Sequence, residues 1–333
     1  MSKIVKIAAI VVQYNNWKDT ILCLESILQS YIIPQYVFVI DNCSTNDSVE
    51  KVICWASGNL SQPIPEYPKI LPRRTYKPLS LFVTTPAEAG ICVVSKNRTL
   101  FPKLFLIKNA ANTGYAGGNN IGLRLGLEAE ADAFWILNND TIVDPGACGA
   151  LYKRLCACRR PGLVGGLICY LTAPDIVQCR AGGYTDPWFF LSRMNGHNLL
   201  ANKALQTPSQ DVERELNFIY GASVMASRAF VETVGPMDER FFLYCEEQDW
   251  SWSATGKFDL AYAPDARIFH KEGGSIGMSC LRRPWWRLFL LARNRFLVTC
   301  KHKPEAVPFV CMGIIYAFFR LLIRRFMGLK NAG

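Results

Sequence analysis

The chain has 333 residues, half of them apolar, and carries a net charge of +10 at neutral pH. This length allows two ordinary domains or one large α/β domain with an appendage, and the apolar fraction is ample for a packed core. The whole positive surplus lies from residue 282 to the end, among tryptophans, leucines and phenylalanines, which argues against a nucleic-acid-binding arm.

The 13 cysteines form no recognisable metal or redox pattern. Their number is odd, and no pair has the two-residue spacing of a zinc or thioredoxin-like site. We interpret them as reduced thiols of a cytosolic protein rather than as a disulfide framework. Because the first six residues lead directly into an apolar run, we expect no signal peptide.

Strand and helix patterns alternate from the start of the chain. Residues 4–12 are rich in Ile, Val and Ala and predict a buried strand, residues 20–29 have apolar side chains at helical spacing, and residues 36–40 predict a second strand. A strand, a helix and a strand in this order form a βαβ unit, which implies parallel pairing.

The pattern fades between residues 55 and 102, where prolines accumulate, and predicts an inserted loop or small subdomain on the surface. It then returns. Further strands are predicted over residues 103–108, 133–137, 162–170, 217–226 and 261–269, with helices ending at residue 127 and spanning 228–234.

Polar residues follow the apolar run 133–137. Asn138, Asn139, Asp140 and Thr141 come directly after it, so a buried strand would deliver them to its carboxyl end. Open α/β sheets bind their ligands at that end. A carboxylate there suits a hard divalent cation that carries substrate phosphates.

Two other strand ends carry candidate ligand-binding groups. Residues 112–120 are rich in Gly and Asn at a strand-to-helix junction, and we expect their backbone amides to point at an anion, although such a turn can also be purely structural. Asp41 ends the second strand and could accept hydrogen bonds from a nucleobase or ribose. A helix N-cap is the equally open alternative for Asp41.

An acidic cluster and a histidine complete the candidate site. Glu246, Glu247 and Asp249 lie within four residues, and like charges this close raise one another's pKa, which favours a general base near neutrality. A solvated helix start is the alternative, but neighbouring aromatic residues favour burial. His270 ends a predicted strand and is a candidate metal ligand, although a lone histidine is more often structural.

The C-terminal region combines basic and apolar residues. Residues 306–319 contain no charge, but a membrane span needs about twenty apolar residues. We therefore favour a helix that lies in the interface of an anionic membrane over one that crosses it.

These segments together resemble glycosyltransferase family 2, and most closely its rhamnosyltransferase-like branch with a GT-A fold. The match covers about residues 4 to 275 and runs in order through residues 11–15, 39–48, 112–120, 137–141, 221–222, 238–249 and 264–270. The resemblance implies a Rossmann-like, mostly parallel α/β sheet flanked by helices. We expect a GT-A domain over residues 1–275, with the 55–102 insertion, and a basic amphipathic helical tail over 276–333.

The family resemblance also implies roles for individual residues. Donor nucleotide binding would involve Tyr14, Asn15, Asp41, Asn42, Ser44, Asn112, Gly114, Tyr115, Gly118, Asn119 and Asn139. Asp140, His270 and Asn138 correspond to the binding site for a magnesium or manganese ion. Glu247 matches the catalytic base, with Glu246 and Asp249 beside it.

This sequence departs from the family pattern in several places. Asn138 replaces the first Asp of the metal motif, Glu247 is one methylene longer than the usual Asp, and Ser253 stands where relatives commonly carry Arg. The proline-rich insertion is also longer than expected.

The function implied is inverting, metal-dependent transfer of a sugar from a nucleoside-diphosphate sugar to a hydroxyl of a lipid-linked saccharide, in bacterial cell-surface polysaccharide synthesis. We expect the protein at the cytoplasmic face of the plasma membrane, held peripherally by its tail. A nucleotidyltransferase of GT-A-like fold would need a basic, Gly-rich loop after the first strand, which residues 13–17 do not provide. A non-catalytic membrane-bound protein that binds nucleotide sugars is the other alternative.

Overall fold

The computed structural model describes residues 5–61, 67, 70–71, 75–94, 103–271 and 285–326. Its first half contains β1 (Ile7–Gln13), α1 (Trp17–Ile27), β2 (Tyr36–Asp41), α2 (Ser48–Ser57), β3 (Leu81–Thr84), α3 (Pro86–Val94), β4 (Lys103–Lys108), α4 (Gly114–Glu128) and β5 (Ala133–Asn138).

The second half is built from shorter strands and ends in two long helices. In chain order these elements are β6 (Thr141–Val143), α5 (Ala147–Cys156), β7 (Pro161–Tyr170), β8 (Val177–Arg180), β9 (Gly182–Thr185), β10 (Ser192–Met194), α6 (Ala201–Ala204), α7 (Ser209–Arg214), β11 (Phe218–Ile219), β12 (Ser223–Ser227), α8 (Arg228–Val234), α9 (Glu246–Ser253), β13 (Asp259–His270), α10 (Trp285–His302) and α11 (Val307–Phe326).

Ten strands form one central sheet in the order β3-β4-β2-β1-β5-β12-β7-β13-β6, with β8 paired to β7. Strands β3, β4, β2, β1 and β5 are parallel, as are β7 and β13, whereas β12, β6 and β8 run antiparallel to their neighbours. The predicted mostly parallel α/β sheet flanked by helices is confirmed.

Apolar side chains cover both faces of this sheet. On β1, Ala8 and Ile10 pack in one cluster with α4, while Ile7, Ala9 and Val11 pack in the other with α1, α2 and α5. Burial on both faces explains why these strands are continuous apolar runs rather than alternating ones.

The chain order creates a crevice at one end of the sheet. From β1 the chain forms β2 on one side, and β5 later pairs on the other side of β1. The carboxyl ends of β1, β2 and β5 therefore meet at a topological switch point, where α/β proteins bind ligands.

The proline-rich segment does not lie entirely outside the sheet. Helix α2 continues to Ser57, and Leu81–Thr84 forms β3, which pairs in parallel with β4 as an edge strand. The prediction of a surface insertion over 55–102 was wrong for these parts, because strand β3 was hidden in a short apolar stretch between prolines. Residues 62–66, 68–69, 72–74 and 95–102 lie outside the described residues.

The C-terminal helices pack against the α/β domain. Val298 of α10 and Val310 of α11 share a small core with Phe190, Phe241 and Cys245. The predicted boundary at residues 275 and 276 lies outside the described residues, as does the stretch 272–284. Among the helices described, none has the length and apolarity needed to cross a bilayer.

Candidate active site

Two of the predicted metal ligands meet at the carboxyl end of the sheet. Asp140 directly follows β5, and His270 ends β13, whose antiparallel pairing with β6 places His270 opposite Thr141. The His270 Nε2 atom lies 3.2 Å from Asp140 Oδ1, and both side chains are buried. Strand register therefore brings these distant residues together.

The imidazole of His270 is oriented by a buried glutamine on β8. Gln178 Oε1 lies 2.7 Å from His270 Nδ1, and the Tyr220 ring packs edge-on at 5.9 Å from the imidazole centroid. Because an amide oxygen can only accept a hydrogen bond, Nδ1 carries a proton. Nε2, which faces Asp140, is therefore the nitrogen that a cation would bind.

This arrangement fits a divalent cation. Adjacent ligands of an octahedral Mg²⁺ with bonds of about 2.1 Å lie about 3 Å apart, close to the observed separation of Asp140 and His270. The Asn138 side chain lies beside this pair, with its Nδ2 atom 3.5 Å from His270 Nε2. Within the residues that the structure describes, no group of three or more His, Cys, Asp or Glu side chains could hold a metal. The remaining ligands would be water and substrate phosphates, as Mg²⁺ and Mn²⁺ prefer.

The charge of Asp140 is favoured by its neighbours. Burial alone would raise the pKa of Asp140, but the hydrogen bond and charge of His270, a backbone hydrogen bond and the nearby Lys271 together lower it. Lys271 is itself held by Asp19, whose two carboxylate oxygens each lie 3.0 Å from Nζ. A cation site with an ionised carboxylate follows.

Glu246 and Glu247 begin helix α9 after a tight left-handed turn. Tyr244 and Cys245 have positive φ angles of 76° and 70°. Asn294 of α10 stabilises this turn, since its Nδ2 donates to the carbonyls of Leu243 and Tyr244 at 2.9 and 2.8 Å. Helix α10 thus helps to fix the position of the two glutamates.

Burial changes the acidity of both glutamates. It raises the pKa of Glu247 to about 7, and burial followed by the charge of Glu247 raises the pKa of Glu246 well above its ordinary value. Glu246 Oε2 has no hydrogen-bond partner within the described part of the chain. Two adjacent carboxyls of this kind share protons as a pair, and Glu247 is the one that ionises near neutral pH.

A short segment between β11 and β12 joins the two clusters. Tyr220 packs on the His270 ring, Gly221 accepts a hydrogen bond of 2.7 Å from the Tyr115 hydroxyl, and the Ala222 carbonyl accepts from the Asn138 amide at 3.1 Å. A Cβ atom at Gly221 would lie 3.9 Å from the Glu247 carboxyl carbon. The residues 220–222 therefore contact His270 and Asn138 and lie beside the Glu247 carboxyl.

Tyr115 lies near carboxylates of both clusters. Burial raises the pKa of the Tyr115 phenol, and the charges of Glu246, Glu247 and Asp140 raise it further. One phenol thus experiences the carboxylates of both clusters, which places them around the same part of the sheet edge.

Asp249 is not available as a base. Lys301 Nζ and His302 Nε2 of α10 each lie 2.8 Å from one of its carboxylate oxygens, and Asp249 is buried. We therefore propose a structural role for Asp249 in place of the predicted catalytic one, because its carboxylate ties α9 to α10. Ser253, in the position where Arg was expected, donates its hydroxyl hydrogen to the Asp249 carbonyl.

The glycine-rich segment does not point its first amides at an anion site. The Gly114 amide donates to Asn112 Oδ1 and the Tyr115 amide donates to the Phe242 carbonyl. A Cβ at Gly114, where φ is +73°, would lie 2.2 Å from that carbonyl oxygen, and one at Gly118 would lie 2.8 Å from Val12. These glycines allow close packing of α4, which was the structural alternative.

The predicted nucleotide-binding residues at the ends of β1 and β2 form a hydrogen-bonded network. Asp41 accepts hydrogen bonds from Gln13 Nε2 and from the Ser44 amide, and it does not cap helix α2, which begins at Ser48. Asn15 accepts from the amide of Thr45 and donates its own amide hydrogen to Ser44 Oγ. Hydrogen bonds within the chain therefore hold the turn at residues 41–46.

The Asn42 side chain forms its hydrogen bonds within the chain. Its Nδ2 donates to Asn112 Oδ1 and the Gly114 carbonyl, and its Oδ1 accepts from Asn109 and Thr113. Asn42 and Asn112 therefore hold the loop after β4, whereas contacts from either side chain to a nucleotide stay a prediction.

Three further predicted residues lie around the crevice. Tyr14 follows β1 with 43% of its surface exposed, and Asn139 donates to Thr20 Oγ1 at 3.0 Å. Asn119 donates to the Tyr115 carbonyl, and its buried Oδ1 has no hydrogen-bond partner among the residues described. Their contacts with a nucleotide also remain predictions.

A cavity of 610 Å³ lies at the other end of the sheet, where β7 and β13 begin. Arg154, Arg160 and Arg214 line this cavity, but they are paired with Glu213, Asp259 and Asp211. Arg159 lines the cavity as well. Because carboxylates neutralise three of these four arginines, this cavity is a weaker candidate for phosphate binding.

Sequence reasoning missed the residues that support the site from other elements. No distinctive spacing marks these polar residues in the sequence, which are Gln178, Asp19 and Asn294. A buried polar residue inside an otherwise apolar stretch was the available signal, and only the tertiary contacts identify its partner.

The chain is similar in sequence and in fold to known glycosyltransferases. No family model matches the chain. Two N-acetylglucosaminyl-diphospho-decaprenol L-rhamnosyltransferases from Mycobacterium tuberculosis, strains CDC 1551 / Oshkosh and ATCC 25618 / H37Rv, are 25% identical over 202 residues. The alignment covers 53% of this chain and 62% of each relative, so it spans less than two thirds of their length.

The structure of GalNAc-T7 with UDP, GalNAc and Mn²⁺ aligns with a TM-score of 0.56 over 90% of this chain and 48% of its own, at 14% identity. The chain has the GT-A glycosyltransferase fold. Its predicted resemblance to rhamnosyltransferase-like glycosyltransferases is confirmed by the sequence relatives. A mannosyltransferase from Pyrobaculum calidifontis, solved with GDP-Man and Mn²⁺, aligns over 98% of this chain and 80% of its own at 14% identity, with a TM-score of 0.48.

Proposed function

We propose that this protein is an inverting glycosyltransferase that uses a nucleoside-diphosphate sugar and a divalent cation. The observation that carries the proposal is the segment 220–222, which packs on His270 and lies beside the Glu247 carboxyl. A donor held by a cation at Asp140 and His270 would then have its anomeric carbon near the base.

Glu247 acts as the general base in this proposal. The hydroxyl oxygen of the acceptor bonds to the anomeric carbon while the bond from that carbon to the diphosphate oxygen breaks. The hydroxyl proton passes to Glu247, and the electron pair leaves with the nucleoside diphosphate. With a pKa of about 7, Glu247 is both available as a carboxylate and basic enough to accept that proton.

Burial and the charge of Glu247 raise the pKa of Glu246 well above its ordinary value, so Glu246 is proposed as the protonated member of the pair. A neutral carboxyl at this position can donate a hydrogen bond to the acceptor hydroxyl, and it leaves the negative charge on Glu247. The pair thus divides into a donor that positions the acceptor and a base that takes its proton.

Asp140, His270 and Asn138 would hold a magnesium or manganese ion, with Gln178 orienting the histidine. When bound, such a cation neutralises charge that develops on the departing diphosphate. The turn at residues 41–46 and the exposed ring of Tyr14 lie at the neighbouring strand ends and would contact the nucleoside. A tyrosine ring can stack on any nucleobase, and such stacking contributes about 1–3 kcal/mol.

The acceptor is proposed to be a saccharide carried on a lipid diphosphate. The relatives are named for N-acetylglucosaminyl-diphospho-decaprenol and L-rhamnose. The basic residues of α10 and α11 favour an anionic membrane surface, so the protein would work peripherally at the cytoplasmic face of the plasma membrane in cell-surface polysaccharide synthesis.

A transfer assay tests this function. The purified protein is incubated with Mn²⁺, a panel of nucleoside-diphosphate sugars that includes a rhamnose donor, and N-acetylglucosaminyl-diphospho-lipid, and the lipid product is detected by mass spectrometry. We expect one donor to add a single sugar and EDTA to stop the addition. Formation of a nucleotide sugar from a nucleoside triphosphate and a sugar phosphate would instead indicate nucleotidyl transfer, and donor binding without turnover would indicate a scaffold.

A further inference from the structure

The hairpin that joins β9 and β10 presents three large apolar side chains to solvent. Trp188, Phe189 and Leu191 are 41%, 52% and 65% exposed, while Phe190 between them is buried. Asp186 builds the turn, since its Oδ1 accepts from the amides of Trp188 and Phe189 and its amide donates to the Leu191 carbonyl. The exposure is thus a property of an ordered turn.

This turn is continuous with the C-terminal helices. The Phe309 ring of α11 lies 5.8 Å from both the Trp188 and the Phe189 ring centroids. Beneath them, Phe190 packs on Trp252 and shares a core with Val298 and Val310. Two segments far apart in the chain therefore form one rigid apolar surface.

Helix α11 exposes many large apolar side chains, whereas Val310 and Ile314 pack inward. The exposed set on this helix comprises Phe309, Met312, Ile315, Tyr316, Phe318 and Phe319. Near the other end of α11, Phe318 packs beside exposed Trp285 of α10 with ring centroids 6.2 Å apart.

Cations lie among these aromatic rings. Lys303 Nζ lies 4.5 Å from the Trp188 ring centroid, and the guanidinium groups of Arg287 and Arg320 lie 5.1 and 5.7 Å from Trp286 and Tyr316. Apolar rings bordered by Lys and Arg match the boundary between acyl chains and anionic headgroups. A protein interface core would instead be depleted in lysine.

We propose that the surface formed by Trp188, Phe189, Leu191 and the exposed faces of α10 and α11 inserts into the headgroup region of an anionic bilayer. This inference rests on the proposed function and extends it, because the contact then includes a turn of the transferase domain and not the tail alone. Binding in this mode grows with buried apolar area and with charge attraction to anionic lipid.

Contact through the turn would fix the orientation of the active site. Strand β9 leads into the turn and pairs with β11, with Gly183 opposite Phe218. Strand β11 in turn leads directly into Tyr220, which packs on His270. A bilayer that holds both the turn and the helices holds a rigid body at two points, so the crevice faces a lipid-linked acceptor at a set angle.

Vesicle sedimentation of two variants tests the proposal. One variant carries Trp188→Ser and Phe189→Ser together, and the other carries Leu191→Asp alone. The probes are vesicles of phosphatidylcholine alone and of phosphatidylcholine with an equal part of phosphatidylglycerol. Each lost side chain removes part of the burial energy of a large apolar group, so we expect at least about a tenfold loss of partitioning to the anionic vesicles. The matched control is Tyr31→Ser, which removes an aromatic side chain that is 84% exposed and belongs to neither segment; it should bind as the wild type does.

Two further measurements separate the outcomes. Thermal unfolding with UDP and MnCl₂ should be the same for all variants, so a folding defect or a failed donor site is visible independently of lipid binding. Wild-type binding by both turn variants overturns the proposal. A turn variant that loses self-association in analytical ultracentrifugation without losing vesicle binding assigns the surface to a second copy of the chain and also overturns it.

Discussion

Gln178 Oε1 lies 2.7 Å from His270 Nδ1, on the side of the imidazole away from Asp140. The glutamine is buried on β8, and its Nε2 atom has no hydrogen-bond partner among the described residues. A buried amide that leaves half of its hydrogen-bonding capacity unused costs free energy. Its geometry is explained by the proton that it holds on Nδ1, which leaves Nε2 free to bind a cation.

Replacing Gln178 with Leu tests this relationship. We expect Mn²⁺ affinity to fall about 10–100-fold, the usual cost of losing the residue that orients a histidine ligand. Gln178→Glu keeps an acceptor at the same place and should restore most of the affinity. MnCl₂ titration followed by thermal shift in the presence of UDP measures both variants, and equal affinity of the Leu variant and the wild type would contradict the role.

Replacing Glu247 with Gln should lower kcat by about 10²–10⁴-fold, the usual contribution of a general base, while donor binding stays close to wild type. The base works only when ionised, so the rate of the wild-type protein should rise with pH and level off above about 7, where burial sets the pKa of Glu247. Glu50→Gln, at an exposed position on α2, serves as the control. A pH-independent rate between 5 and 8 would rule out this base.

Glu246 should make stability depend on pH. Its folded-state pKa lies well above the ordinary value of 4.5, so the folded protein binds more protons than the unfolded chain above about pH 4.5. The free energy of unfolding should therefore fall as the pH rises through this window. Glu246→Gln removes the titration. The measured quantity is the free energy of unfolding of the variant minus that of wild type, from urea unfolding. We expect this difference to be about 1–3 kcal/mol larger at pH 8 than at pH 5. The same difference at both pH values would show that Glu246 does not titrate in this range.

The sheet and the strand-end residues could be predicted because both depend on short stretches of sequence. The apolar run before Asn138 marks β5, and the polar residues after it mark the crevice. Strand β3 could not be found in this way, because four residues between prolines carry little periodicity.

The supporting contacts could not be predicted because they come from tertiary packing. Nothing in residues 246–249 distinguishes Asp249 from its neighbours, yet Lys301 and His302 occupy both of its carboxylate oxygens, and for this reason we propose Glu247 as the base. The glycines of residues 114–118 likewise fit either an anion site or close helix packing, and only the contact with Phe242 decides between these.

The ion pair between Asp249 and Lys301 should matter for stability more than for the chemical step. Asp249 is 3% exposed and Lys301 is 36% exposed, so the lysine can turn to water when its partner is lost. We therefore expect Asp249→Asn to cost about 1–3 kcal/mol, below the range for a fully buried pair. A double-mutant cycle with Lys301→Met in urea should give a coupling energy of about 0.5–2 kcal/mol.

The exposed pair Arg214–Asp211 is the control, and Asp211→Asn should change stability by less than about 0.5 kcal/mol. Since Asp249 is occupied by α10, kcat of Asp249→Asn should fall far less than that of Glu247→Gln, and an equal loss would return Asp249 to the catalytic set.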